Sequence, residues 1–204
     1  MYLGGLCFIT DPVLSNLSFE DMARKVLEGG VRWIQYRDKF KTRREIFEEA
    51  LRLRRLTTEY NAIYIVNDYV DIAYCAEADG VHLGQDDLPL KEARKIVGKK
   101  KIIGLSTHNL AQAIEAEKEG ADYIGFGPVF KTTTKDAGKP KGLEILQEVK
   151  AKVKIPVVAI GGINLENIMS VLSTGVDAIA VASGILKGDI DNNVRQFMQI
   201  LKKR

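Results

Sequence analysis

Short runs of β-branched and aromatic residues recur along the chain, each followed by a longer stretch in which apolar positions return every three to four residues. The first run, 2–9, stops at Thr10-Asp11-Pro12, and a helical pattern follows over 18–28. Gly29-Gly30 ends that helix, 31–36 reads as the second strand, and Thr42 opens a long charged helix that reaches about Tyr60. Further strands are predicted at 63–66, 80–83, 102–105, 122–126, 155–160 and 177–181. The helices between and after them are predicted at 70–76, from Pro89, at 109–119, 142–152 and 165–173, and at the end over 192–202, with a short one conceivable in Ser183-Gly184-Ile185-Leu186.

Strands that alternate with helices imply parallel βαβ units, and strands apolar on both faces imply helices on one side and a packed interior on the other. Eight such units close into a (β/α)8 TIM barrel of the α/β class; the competing arrangement is an open doubly wound sheet. The absence of G-x-G-x-x-G after the first strand and the steady unit length favour the barrel. Without a linker, a low-complexity segment or a break in composition, residues 1–204 read as one catalytic domain.

Barrels carry their sites at the C-terminal ends of the strands. Polar residues gather there: Gln35-Tyr36-Arg37-Asp38-Lys39 after strand two, Asn67-Asp68 after three, and His82 through Asp87 at four. Ser106-Thr107-His108 follows strand five, a long loop from Gly127 to Lys139 follows six, Gly161-Gly162 follows seven and Ala182-Ser183 follows eight.

Composition narrows the function classes. A net charge of +3, with 30 basic and 27 acidic residues interspersed, describes solvated helix surfaces and argues against a nucleic-acid partner. Two histidines exclude a histidine-rich metal site. Cys7 and Cys75 lie in apolar segments without metal spacing and read as buried, reduced thiols. The first apolar run is too short for a signal peptide and no run suits a membrane span, so the reading is a cytoplasmic protein with no membrane partner.

Asp68 and Asp87 follow neighbouring strands, which lie about 4.8 Å apart, so their carboxylates can converge above the rim. A few oxygen ligands completed by water and phosphate suit Mg²⁺. Taken singly, one aspartate reads as a helix N-cap and the other as a loop acid; together, beside Arg37, Lys39 and Lys135, they read as a metal–diphosphate site. Arg37 and Lys39 share a face if the second strand extends that far. Gly161-Gly162 with Ala182-Ser183 suggests a phosphate pocket of the kind barrels build from units seven and eight, and Thr132 and Thr134 can add hydroxyls. His82 reads equally well as a satisfied core histidine, and His108 as a capping residue. No nucleophile–base–acid triad is readable, so the chemistry rests on anion stabilisation.

The ordered set Gln35 to Lys39, Val66-Asn67-Asp68-Tyr69-Val70-Asp71, Ala78 to Asp87, Gly104-Leu105-Ser106-Thr107-His108, Gly125 to Phe130 and Ile155 to Ile163 resembles the thiamine phosphate synthase family, and the likeness extends from Phe8-Ile9-Thr10-Asp11 to Ser183. The resemblance implies a Mg²⁺-assisted dissociative substitution, with one ion per subunit. In it, 4-amino-2-methyl-5-hydroxymethylpyrimidine diphosphate and 4-methyl-5-(2-hydroxyethyl)thiazole phosphate give thiamine monophosphate and diphosphate. By the same resemblance Gln35, Arg37, Lys39, Asn67, Ser106 and Lys135 hold the pyrimidine diphosphate, with His82 near the pyrimidine. Arg37, Lys39, Ser106 and Lys135 carry the catalysis, and Asp68 and Asp87 bind the metal. Thr132, Thr134, Gly162, Ala182 and Ser183 hold the thiazole phosphate. Lys131 stands where the family usually has proline, Asp38 replaces a common glutamate, Thr133 falls at a position that often varies, and Ala137-Gly138 is atypical. The implied partners are two phosphorylated small molecules, with a homo-oligomer left open. The alternatives are a thiazole tautomerase-like paralogue, which would be expected to lose part of the cation and metal set, and a non-catalytic barrel that binds a phosphorylated ligand.

Overall fold

The computed structural model describes residues 3–132 and 138–203. Its eight strands are β1 (Gly5–Ile9), β2 (Trp33–Tyr36), β3 (Ile63–Asn67), β4 (Gly80–Leu83), β5 (Ile102–Thr107), β6 (Tyr123–Phe126), β7 (Val157–Ile160) and β8 (Ala178–Val181). All pair in parallel in chain order, and β8 closes on β1 with Gly5 opposite Ala178. The helices among the described residues are α1 (Phe19–Glu28), α2 (Arg43–Glu59), α3 (Val70–Cys75), α4 (Leu90–Val97), α5 (Leu110–Glu119), α6 (Gly142–Lys152), α7 (Ile168–Leu172), α8 (Ser183–Leu186) and α9 (Ile190–Lys202). None is long and apolar enough to cross a membrane.

Strand alternation sorts the core into two sets. Leu6, Phe8, Ile34, Tyr64, Ile103, Ile124 and Ile179 face outward and pack with helix residues such as Met22, Leu53 and Phe197. Cys7, Ile9, Trp33, Ile65, Ile102, Tyr123, Val158, Ala178 and Ala180 form a separate cluster inside the barrel. Trp33 and Tyr123 meet edge to face there, at 5.2 Å and 83°. Higher in the barrel the inward positions become small or polar, among them Gln35, His82, Ser106, Gly125 and Ala180. The interior is therefore filled at the base and open at the top.

Local chemistry explains the boundaries. Ser18, Thr42, Asn109 and Asp189 each accept a backbone N–H in the first turn of the helix that follows, and Thr42 with Glu45 completes a capping box. Gly120 takes the left-handed conformation, φ 90°, and closes α5. At the opposite end of the barrel one device appears three times. Asp79, Asp122 and Asp177 each precede an even-numbered strand, and each accepts an N–H from the first or second residue of the odd-numbered strand before it: Tyr64 at 2.8 Å, Ile103 at 2.7 Å and Val157 at 2.7 Å. Each also pairs with a helix cation, respectively Arg54, Arg94 and Lys150. A partly exposed carboxylate accepting such a bond contributes about 1.5 kcal/mol, and the three together tie strands to helices away from the site.

The departures from the sequence reading are local. Strand five continues through Ser106 to Thr107. The predicted helix at 165–173 is only Ile168–Leu172, because Asn164 and Asn167 exchange side chain–backbone bonds in a turn. The last helix starts two residues early, at Ile190, because Asp189 caps it. Cys7 is buried, and burial pushes its thiol well up, but Cys75 is exposed. It ends α3 on the side opposite the buried Ile72, Ala73 and Ala76, so the expected second buried thiol is corrected.

Candidate active site

The open end of the barrel carries a cleft of about 780 Å³, including its mouth to solvent. Its floor and one wall are apolar, made by Ile9, Ile160, Ile163 and Ala180. Arg37, Ser106, Thr132, Gly162, Ala182 and Ser183, all expected at the site, line it. Gln35, Lys39, Asn67, Asp68, His82 and Asp87 stand beside that cleft, over β2 to β4. Thr134 and Lys135 lie outside the described residues. The rim thus has two parts, and Arg37 and Ser106 join them.

The cleft half is shaped by glycine. Gly161 and Gly162 have φ of 98° and 68°, the left-handed range that side chains resist. A Cβ on Gly162 would lie 2.6 Å from the Lys131 carbonyl oxygen, so only hydrogen fits. The β6–α6 loop is laid against this turn: Phe130 N–H donates to Gly161 O at 3.0 Å, and Val129 N–H to Ile160 O at 2.9 Å. Ala182 and Ser183 lead into the one-turn α8 on the adjacent strand.

The other half is electrostatic. Asp68 follows β3 directly and holds φ 65°, a strained value for a residue with a side chain. Its N–H donates to His82 O at 2.8 Å, which ties it to β4. Its carboxylate receives the Lys39 ammonium. Asp87 folds back so that Oδ2 accepts Gly84 N–H at 2.6 Å. Burial raises the Asp87 carboxyl above its ordinary range; the Gly84 bond opposes this, while the Asp68 carboxyl, within hydrogen-bonding reach, adds to it. Two carboxyls so close are compatible when a proton or a cation lies between them. Among the described residues no group of three or more metal-ligating side chains exists. An ion here would draw its remaining oxygens from water and ligand, as a small hard cation does.

Two expectations change in detail. β2 ends at Tyr36, so Arg37 and Lys39 do not continue its alternation. They diverge: the Arg37 guanidinium lies 3.6 Å from Asp11, whereas Lys39 crosses to Asp68. Nor is Asp68 a helix cap, since Tyr69 occupies that place before α3. His108 is not the cap of α5 either; Asn109 is, and the His108 ring lines the cleft with Nδ1 2.7 Å from Gly127 O.

Sequence reasoning missed three residues. Asp11, buried at the end of β1, faces Arg37, and its neighbour Thr10 accepts Arg37 N–H at 2.9 Å. Asp11 stands where the first apolar run gives way to polar residues, the signal that marks the other strand ends, but the same Thr10-Asp11-Pro12 also reads as a simple strand stop. Gln85 donates its amide to Ser106 O at 2.6 Å. Tyr123 binds His82 from inside the barrel, and no local pattern signals that.

Comparisons with known proteins match nearly the whole chain to one family. The family model described as thiamine monophosphate synthase matches residues 6–185. The thiamine-phosphate synthase of Clostridium novyi is 49% identical over 186 residues, covering 90% of this chain and 91% of that protein. That of Methanosarcina mazei is 44% identical over 197 residues, covering 96% and 82%. The solved thiamine phosphate pyrophosphorylase from Pyrococcus furiosus superposes with a TM-score of 0.90 at 42% identity, covering 98% of this chain and 96% of its own.

Proposed function

The chain belongs to the thiamine monophosphate synthase family and is a transferase of that type, and on that premise we propose that it joins a hydroxymethylpyrimidine diphosphate to a hydroxyethylthiazole phosphate on the rim just described. The observation that carries this reading is the meeting of two anion-suited half-sites on one barrel end. Arg37, Lys39, Asp68 and Asp87 stand over β2 to β4, and the Gly161–Gly162 turn with Ser183 over β7 and β8.

The division of labour follows from charge and shape. The diphosphate of the first substrate meets Arg37, whose planar guanidinium can take two oxygens, and Lys39, a point charge. Asp68 and Asp87 would hold Mg²⁺, which when bound neutralises part of the charge that builds on a departing diphosphate. Lys39 keeps the Asp68 carboxylate partnered otherwise. Ser106 stands between the halves and can donate its hydroxyl to either ligand. Gly162, Ala182, Ser183 and Thr132 surround the phosphate of the second substrate, and Thr134 and Lys135 are assigned to the thiazole phosphate and the diphosphate by family resemblance alone.

Among the described residues no side chain is placed as a nucleophile, which favours a bond to diphosphate that breaks without a covalent enzyme intermediate. The apolar floor of Ile9, Ile160 and Ala180 keeps water from the pyrimidine methylene cation until the thiazole nitrogen captures it. Residues 1–204 then act as one catalytic domain. The Asp68–Asp87 pair counts against a thiazole tautomerase, which has no diphosphate to release.

The test is to mix the two purified substrates with the protein and Mg²⁺ and to follow thiamine monophosphate by mass spectrometry. Product that vanishes with EDTA supports the reading. No product, or tautomerisation insensitive to EDTA, overturns it.

A further inference from the structure

The turn that follows β7 is held from outside the cleft by one half-buried side chain. Asn167, at the entry to α7, donates from Nδ2 to Gly162 O at 2.9 Å, and its Oδ1 accepts Asn164 N–H at 2.9 Å. The orientation of that amide follows from its partners. A carbonyl can only accept and a backbone N–H can only donate, so a flipped amide would lose both bonds. The Asn164 side chain answers in kind: its Oδ1 accepts the N–H groups of Glu166 at 2.9 Å and of Asn167 at 3.1 Å. Asn167 is therefore fixed twice, its backbone by Asn164 and its side chain by the turn it supports.

The three carbonyls of that turn all face protein. Gly161 O accepts Phe130 N–H at 3.0 Å, Gly162 O faces Asn167, and Ile163 O lies against Gly184, where a Cβ would come within 2.6 Å of it. In a trans peptide the C=O and the following N–H point in opposite directions, and the only cis peptide among the described residues is Gly127–Pro128. The Gly162 N–H thus points away from Phe130, and the Ile163 N–H away from Asn167. Gly162 and Ile163 line the cleft, whereas Phe130 and Asn167 do not. Among the described residues neither of these two N–H groups meets a backbone acceptor.

We propose that Asn167 is a positioning residue for the phosphate of the second substrate: by holding the Gly162 carbonyl outward it aims the Ile163 N–H into the cleft that Ser183 also lines. Successive N–H groups on a turn form a concavity suited to an anion. Without the Asn167 bond the Gly162–Ile163 peptide is free to turn over, because glycine tolerates the new dihedrals. A turned peptide would present a carbonyl oxygen where the anion must sit. The proposal rests on the reading of this half-site as the thiazole-phosphate pocket.

Charge explains why the direction of one peptide matters. Among the described residues that line the cleft the only lysine or arginine is Arg37, and its guanidinium already lies 3.6 Å from Asp11. A phosphate over β7 and β8 is then held by backbone N–H dipoles and hydroxyls, and each of these acts only if it is aimed.

Inorganic phosphate titrated into the ¹⁵N-labelled protein tests this without any synthesis. Saturation should move the Gly162 and Ile163 amide protons downfield, as donation to an anion does, and leave that of Gly175, in the turn before β8, where it was. Asn167→Asp is isosteric and keeps the acceptor for Asn164 N–H but loses the donor to Gly162. Asn167→Ala loses both and adds no charge; if it fails to fold, the aspartate variant decides alone. Each folded variant should bind phosphate about ten-fold more weakly, the lower end for one hydrogen bond to a charged group, and should lose the Ile163 shift. With both substrates, KM for the thiazole phosphate should rise about ten-fold, while kcat and KM for the pyrimidine diphosphate change little. A merely structural role would not produce that split. An Ile163 amide indifferent to phosphate in the wild type, an unchanged phosphate affinity in Asn167→Asp, or two KM values that rise together would overturn the proposal. Failure to make thiamine monophosphate would sink the proposed reaction and leave the phosphate titration to decide the role of Asn167.

Discussion

Replacing Gly104 by alanine adds one methyl group at the most crowded inward position of β5. The new carbon would lie 2.5 Å from the Tyr123 hydroxyl oxygen and closer still to the ring. Ordinary contact needs 3.5–4.0 Å between carbons, so the ring would have to retreat by roughly 1 Å or more. Tyr123 is 1% exposed and is backed by Trp33, so it has little room to do so. Overpacking of this kind costs about 1–3 kcal/mol, and breaking the buried bond to His82 adds about 1 kcal/mol. Removing a strand glycine returns about 0.5 kcal/mol. The net loss should be about 2–3 kcal/mol, which for a chain of this size lowers the melting temperature by about 5–10 °C. Gly125→Ala, whose Cβ would meet only the edge of the His82 ring, Cε1 at 3.1 Å and Nε2 at 3.5 Å, should lose distinctly less. Urea denaturation of the two variants, with kcat/KM measured on each folded protein, reads both effects. If Gly104→Ala unfolds at the wild-type midpoint, or if Gly125→Ala proves the more damaging, the clash reasoning is wrong.

Asp68→Gly should keep or slightly raise stability, by up to about 1 kcal/mol, because φ 65° suits glycine, while synthesis falls at least about a hundred-fold for want of the metal-side carboxylate; a near-normal rate would remove Asp68 from the site. The Asp87 carboxyl is raised in the folded state, so its effect on stability is favourable below the unfolded pKa and is lost as pH rises through the folded one. Metal-free Asp87→Asn should therefore melt above the wild type at neutral pH, with the gap closing on acidification, and Mg²⁺ should stabilise the wild type alone; thermal melts at several pH values decide it. Asp11→Asn removes a negative charge 3.6 Å from Arg37 without disturbing the Thr10 bond that holds the Arg37 backbone. A unit charge at such range is worth about 1 kcal/mol in water, so diphosphate should inhibit this variant about five-fold more strongly, an advantage that fades with salt; weaker inhibition would show that Asp11 orients Arg37 rather than tempering it.

Residue order alone determined the barrel and the location of its working end. Alternating apolar runs and helical periods are local properties that survive without coordinates, and eight of them allow few closures. Strand-end polarity then located Arg37, Lys39, Asp68, Ser106 and Ser183 because the fold puts every strand terminus on one rim. Only the tertiary structure decided how those side chains pair. Arg37 and Lys39, two residues apart in sequence, turn to different partners because β2 ends before them. Tyr123 reaches His82 across 41 residues through the barrel interior, and it does so because Gly104, on the strand between them, has no side chain to block the way. Periodicity reports which face a residue takes; what meets it there depends on register and on the volumes of neighbours from other strands, and those exist only once the barrel has closed.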